Sequence, residues 1–253
     1  EYGGGALDDN VWHDHYGSDN GPRNYFDFKG DDSSPHQHGG CYQHWESGAN
    51  LCYFSPPSSS SSSSSERASH LTNVGMALDA SKFLVSRGGE PIESVLGRSE
   101  DDEIFRIPPG ASAAFLPYRP DFWSQYYQGK LIDAAARLSP DRVPRCDVTL
   151  DGLTLVYERI EYANLWHTMT DWFNVHWSLR KLRHEGKYDP DSDKVRILWL
   201  DGHARSAIDV AWGDLFRAEV HYIGEYKDAE ETRGEGGGGG GAMVCMERAA
   251  WIP

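Results

Sequence analysis

The segment Val195–Leu200 (VRILWL) is a near-continuous apolar run, closed at once by Asp201-Gly202-His203. A strand apolar on both faces must be covered on both faces, as in the parallel sheets of α/β proteins. Its neighbours fit that requirement. Leu153–Ile160 (LTLVYERI) reads as a strand by its β-branched content, and Ala163–His184 as a helix stopped by Gly186 and the turn Asp189-Pro190-Asp191. Ile208–Arg217 reads as a second helix and Glu219–Ile223 as a third strand. The order βαβαβ predicts an α/β fold with a doubly wound, Rossmann-like sheet.

The rest of the chain is less regular. Residues 1–50 are rich in Gly, Asp, Asn and His and show no sustained period of 2 or 3.6, which reads as loop. The pairs His13/His15 and His36/His38 have metal-ligand spacing but no organised neighbours, so a solvated tail is the better reading. The runs Ser58–Ser65 and Gly236–Gly241 cannot pack and belong in surface loops. Lys82–Ser86 (KFLVS) reads as a short strand, Glu100–Glu103 as an acidic surface run and Phe122–Leu138 as a helix. The chain thus divides into an irregular region over 1–70, a segment over 71–150, and the βαβαβ unit over 151–253.

Composition excludes some partners. With 24 Lys+Arg against 39 Asp+Glu, the net charge of −15 disfavours nucleic acid and anionic membrane, which need clustered cations. No apolar run reaches the roughly 18 residues of a transmembrane helix. The chain opens at Glu1 without an initiator Met and ends at Trp251-Ile252-Pro253, so it is expected to be a fragment, with any signal or anchor outside it. Cys41, Cys52, Cys146 and Cys245 follow no zinc spacing and fit either disulfides or buried thiols.

Chemistry is expected along the helix beginning near Asn164. At about 100° per residue, Leu165, Met169, Trp172, Phe173, His176 and Leu179 share one face, expected to point to the core. Asn164, His167, Asp171, Asn174 and Ser178 share the other. His167 and Asp171 stand at i and i+4, a spacing at which a carboxylate can orient an imidazole for general base work. The stripe starts just past a strand's carboxyl end, where open α/β sheets bind ligands, and Asp201-Gly202-His203 occupies the next strand's tip. Asp191-Ser192-Asp193 resembles a metal–nucleotide motif but sits before a strand in a Pro-containing turn, which favours a plain turn. No Gly-x-Gly-x-x-Gly follows the first strand, and no nucleophile elbow or His-Glu-x-x-His is present. Nine Trp could stack on sugars, although most fall on the predicted core faces.

The stretch Arg159-Ile160-Glu161-Tyr162-Ala163-Asn164-Leu165-Trp166-His167-Thr168-Met169-Thr170-Asp171-Trp172 closely resembles the central motif of glycosyltransferase family 61. Ser86-Arg87-Gly88-Gly89-Glu90 with Val95-Leu96-Gly97-Arg98, Leu200–His203 with Trp212 and Leu215-Phe216, and Val244-Cys245 resemble the same family. The Arg-Gly-Gly-Glu stretch resembles its xylosyl branch. The likeness runs over roughly 78–253 with a break near 105–145.

The resemblance implies the N-terminal, Rossmann-like part of a GT-B enzyme, with 71–150 as a family-specific catalytic segment and the donor-binding half beyond this chain. It implies a type II Golgi membrane protein that transfers xylose from UDP-xylose to the β-mannose of an N-glycan with inversion. Membrane attachment would be through an anchor outside this chain, and no metal or other cofactor is expected. Candidates for the base are His167, Asp171 and Asp201, with Glu161 behind them. Glu161, Asn164 and His203 are the expected substrate-binding residues. Relatives that transfer N-acetylglucosamine to O-linked sites, or a non-catalytic glycan-binding relative, are the alternatives. A secretory setting favours disulfides for some of the cysteines.

Overall fold

The computed structural model describes residues 39–43, 50–55, 74–107, 114–116, 135–137, 145–159, 161, 164–227 and 242–252. The His-x-His pairs, the serine run and the glycine run lie outside them, as does most of the predicted 122–138 helix.

The core of the molecule is one mixed sheet. Its strands are β1 (Gly39–Gln43), β2 (Asn50–Phe54), β3 (Met76–Asp79), β4 (Ala114–Leu116), β5 (Ala135–Arg137), β6 (Val148–Tyr157), β7 (Val195–Trp199), β8 (Ala218–Tyr222) and β9 (Met243–Ile252). Three α-helices accompany them among the described residues: α1 (Glu100–Glu103), α2 (Leu165–His184) and α3 (Val210–Phe216). Neighbouring strands run β5-β4-β3-β9-β6-β7-β8. The βαβαβ unit is present as read, with β6, β7 and β8 parallel and in continuous register from Leu153/Val195/Ala218 to Tyr157/Trp199/Tyr222.

The two helices of the βαβαβ unit lie on one face of the sheet. Val175, Leu179 and Leu182 of α2 and Trp212 of α3 pack in the same cluster as Leu155, Ile197 and Trp199, so both helices cover one face. The strand order explains it. Because β6, β7 and β8 advance in one direction, two right-handed crossovers put both helices on the same side. The opposite face buries Val156, Leu198, Leu200, Val244 and Met246 under Phe83, Val85 and Phe105, which come from a largely irregular segment.

β9 is the hub, and its role could not be read from the sequence. One edge pairs in parallel with β6, with an irregularity between Leu150 and Leu153. The other edge is shared, since Met243–Met246 pair with β3 and Ala249–Trp251 pair with β2. The chain leaves β8 on one side of β6 and returns as β9 on the other. The direction of winding therefore reverses between β6 and β9, and an open α/β sheet offers its crevice at the carboxyl ends of such strands.

Several local expectations need correction. Lys82–Ser86 is not a strand. Ala80–Lys82 form a 3₁₀ turn capped by the Asp79 carboxylate, and only Leu84 pairs, with Arg106. Gly39–Gln43 lie in the region read as loop, yet they form a hairpin with β2 that docks on β9. Ala135–Arg137 are a strand rather than helix. No helix of the described residues is long and apolar enough to cross a membrane.

Cys146 and Cys245 form a disulfide that ties the lead into β6 to β9, across a sequence separation of 99 residues. Closing so long a loop restricts the unfolded chain strongly. Cys146→Ser is expected to lower stability by about 2–5 kcal/mol in denaturant titration. A midpoint matching wild type would show that the link is dispensable.

Candidate functional site

The carboxyl ends of β6 and β7 are joined by a buried ionic core. Arg159, two residues past β6 and only 2 % exposed, donates from Nη2 to Asp201 Oδ1 at 2.7 Å and from Nη1 to Asp209 Oδ1 at 3.1 Å. Its backbone N–H donates to Asp201 Oδ2 at 2.9 Å. The guanidinium lies 3.6 Å from the centroid of the Trp199 ring and 5.5 Å from that of Tyr222. Burial would push the Asp201 carboxyl up, but the charges of Arg159 and His203, with hydrogen bonds from Arg159, outweigh it and hold it below its ordinary value.

His203 completes this core. Its Nδ1 lies 2.9 Å from Glu103 Oε2 and its Nε2 3.1 Å from the Arg159 carbonyl. The stretch Arg-Gly-Gly-Glu clasps the same loop from outside. Gly89 N–H donates to the His203 carbonyl at 2.9 Å, while Glu90 holds Arg98 at 2.9 Å and Arg98 donates to the Gly202 carbonyl at 2.9 Å. Gly88 and Gly89 sit at φ of 81° and 74°, and a Cβ on either would stand 2.4 and 2.5 Å from the Tyr222 ring. Two adjacent glycines are needed here because the chain crosses the face of an aromatic in a left-handed conformation.

The helix α2 starts beside this core. Asn164 caps it, accepting from the Trp166 N–H at 3.0 Å, and its side-chain amide donates to Glu161 Oε2 at 3.2 Å. His167 is half-exposed with Nε2 3.5 Å from Glu161 Oε2. Asp171 points the other way. It is buried and accepts from the Tyr157 hydroxyl at 2.5 Å. His167 and Asp171 make no hydrogen bond to each other, so the expected dyad is replaced by two separate pairs, His167–Glu161 and Asp171–Tyr157.

The orientation of α2 is also corrected. Thr168, Asp171, Val175, Ser178 and Leu182 face the core, whereas Leu165, Met169 and Phe173 are 54, 53 and 46 % exposed. The polar stripe is partly inside, because Tyr157 provides a buried partner for Asp171.

Burial raises the Asp171 carboxyl. The Tyr157 hydrogen bond opposes that rise and the Asp201 charge adds to it, leaving the group at about 6. By contrast, Asp201 and His203 are fully engaged in structural contacts, and neither has the exposure that the expected catalytic and substrate-binding roles require. Asn164 is committed to capping. The sequence reading gave no site role to Arg159, Tyr157, Glu103 or Asp209. Arg159 was visible in principle as a cation placed directly after a strand, whereas Glu103 was hidden in what looked like a solvated acidic run. No group of three or more His, Cys, Asp or Glu among the described residues could hold a metal ion. Asp193 of the Asp-x-Asp turn is bound by Arg248 at 2.7 Å.

Comparison with known proteins bears on this arrangement. The chain is 29 % identical over 161 residues to β-1,2-xylosyltransferase RCN11 of Oryza sativa subsp. japonica, covering 58 % of this chain and 29 % of that protein. It is 25 % identical over 169 residues to a β-1,2-xylosyltransferase of Arabidopsis thaliana, covering 53 % of this chain and 30 % of that one. The chain is similar to plant xylosyltransferases. It spans less than a third of the length of these relatives. No family model and no solved structure matches it.

The raised Asp171 value has a signed consequence. The folded state holds the proton to about pH 6, whereas the unfolded carboxyl releases it near its ordinary 3.8. The native state therefore binds more protons in that interval, and stability falls as pH rises through it. Asp171→Asn keeps an acceptor for Tyr157 without the charge. It is expected to be more stable than wild type at pH 7 by about 1–3 kcal/mol, the gap closing toward pH 4 in thermal melts. A gap independent of pH would contradict the assignment.

Proposed function

We propose that this chain is part of an inverting glycosyltransferase that transfers xylose from UDP-xylose to the core β-mannose of an N-glycan in β-1,2 linkage. The setting is the Golgi lumen, with any membrane anchor outside these residues. The observation that carries this reading is the half-exposed His167–Glu161 pair at the start of α2, beside the point where winding reverses between β6 and β9. The names of the plant relatives, β-1,2-xylosyltransferases, support a xylosyl group and a β-1,2 linkage.

In this reading the chemistry divides among the residues by exposure. An inverting transfer needs a base that takes the proton from the acceptor hydroxyl as UDP leaves the opposite face. His167 is the base, with Glu161 orienting its ring and stabilising the imidazolium. Asp171, inside and bound to Tyr157, fixes α2 and adds negative potential behind the site. Asp201 and His203 hold the floor through Arg159. The donor's nucleotide is gripped by residues outside this chain, in keeping with a GT-B arrangement.

The test uses the intact polypeptide that carries these residues, a core N-glycan, and either UDP-xylose or UDP-N-acetylglucosamine, with products read by mass spectrometry. A pentose increment with UDP-xylose alone is expected, and His167→Ala should lower kcat by about a hundredfold or more. An N-acetylhexosamine increment would replace the donor, and full turnover by the His167 variant would remove it as the base.

A further inference from the structure

The opposite edge of the parallel strands carries a cavity of about 460 Å³, between the second half of α2, the turn before β7 and the α3–β8 junction. It lies at the amino end of β7, where Val195 lines it, so the length of the strand separates it from the site above. That volume is in the range of small-molecule sites.

Its lining is unusual for a chain with a net charge of −15. Arg180, Arg183, Arg217 and His176 all border it, against Asp191 and Asp193. Asp193 is already neutralised by Arg248, which binds it at 2.7 and 3.2 Å. Neither Arg183 nor Arg217 makes a salt bridge with a described carboxylate. Both cations are near Tyr188: burial and the Asp193 charge raise that phenol, and the two guanidiniums act against the rise. Tyr188 and Phe216 supply aromatic surface beside them.

Arg217 carries a second, independent signal. It stands at φ 50°, ψ 38° immediately after α3, and among the described residues it is the single non-glycine with positive φ. Glycine is the usual occupant of such a helix end, and an arginine there is under backbone strain. The strain points to a use for the side chain.

We propose that this cavity binds an organic phosphate of nucleotide size. The guanidinium forks of Arg183 and Arg217 would take phosphoryl oxygens, as arginine does wherever planar, bidentate recognition of an oxyanion is needed. The Tyr188 and Phe216 rings would flank the organic part. The site is independent of the proposed transfer reaction, being built from other residues at the other edge of the sheet.

The test is calorimetric titration of the 253-residue chain with UDP, and separately with inorganic phosphate. Saturable UDP binding is expected, with inorganic phosphate competing more weakly. Arg183→Gln and Arg217→Gly should each weaken UDP binding about tenfold or more. Arg217→Gly should melt no lower than wild type, because glycine adopts the left-handed conformation freely. That separates loss of binding from loss of fold. Absence of UDP binding, or binding untouched by both substitutions, would overturn the proposal. Equal affinity for phosphate and UDP would overturn the assignment of an organic ligand.

Discussion

The arrangement of this molecule depends on the buried pair of Arg159 and Asp201. Asp201 is fully buried and Arg159 nearly so. Removing either charge from water is costly and is offset only by close geometry and saturation of the remaining donors and acceptors. Both conditions are met, with Asp209 and two backbone N–H groups completing the network. The pair locks the exit of β6 to the exit of β7, and so fixes where the chain turns into α2. Trp199 and Tyr222 hold the guanidinium flat, and the Gly88–Gly89 crossing of Tyr222 draws in the segment before α1. Residues that are distant in sequence but close in the resemblance (Arg-Gly-Gly-Glu, the Asp-Gly-His tip and the helix motif) are thus parts of one structural clasp.

Much of the βαβαβ unit was legible, for a physical reason. A five-residue strand buried at every position, a twenty-residue helix with an Asn cap, and a polar turn between them each leave a local signature. Boundaries held to within a few residues, except that β6 begins at Val148, well before the Leu153 that read as its start. What failed was non-local. β9 contains Glu247 and Arg248 and is defined by its partners on both edges, so nothing in its own pattern announced a central strand.

The candidate site was legible as a neighbourhood and not as a set of roles. Polarity alone placed Leu165, Met169 and Phe173 in the core and Asp171 on the opposite face, and the structure instead exposes those three and buries Asp171. A helical wheel cannot know that Tyr157, fourteen residues away, offers a buried hydroxyl. The same blindness hid Glu103, whose acidic neighbours are exposed while it is inside against His203. Exposure then separates residues that the resemblance groups together: His167 and Glu161 reach solvent, whereas Asp201 and His203 are buried.

The most direct test of this account is a double-mutant cycle on Arg159→Met and Asp201→Asn, with stability measured by denaturant titration. Each single variant is expected to lose about 3–5 kcal/mol, because it leaves the partner buried without its counterpart. The double variant should lose clearly less than the sum, with a coupling of about 2 kcal/mol or more. Additive losses would contradict the claim that this pair organises the carboxyl edge of the sheet.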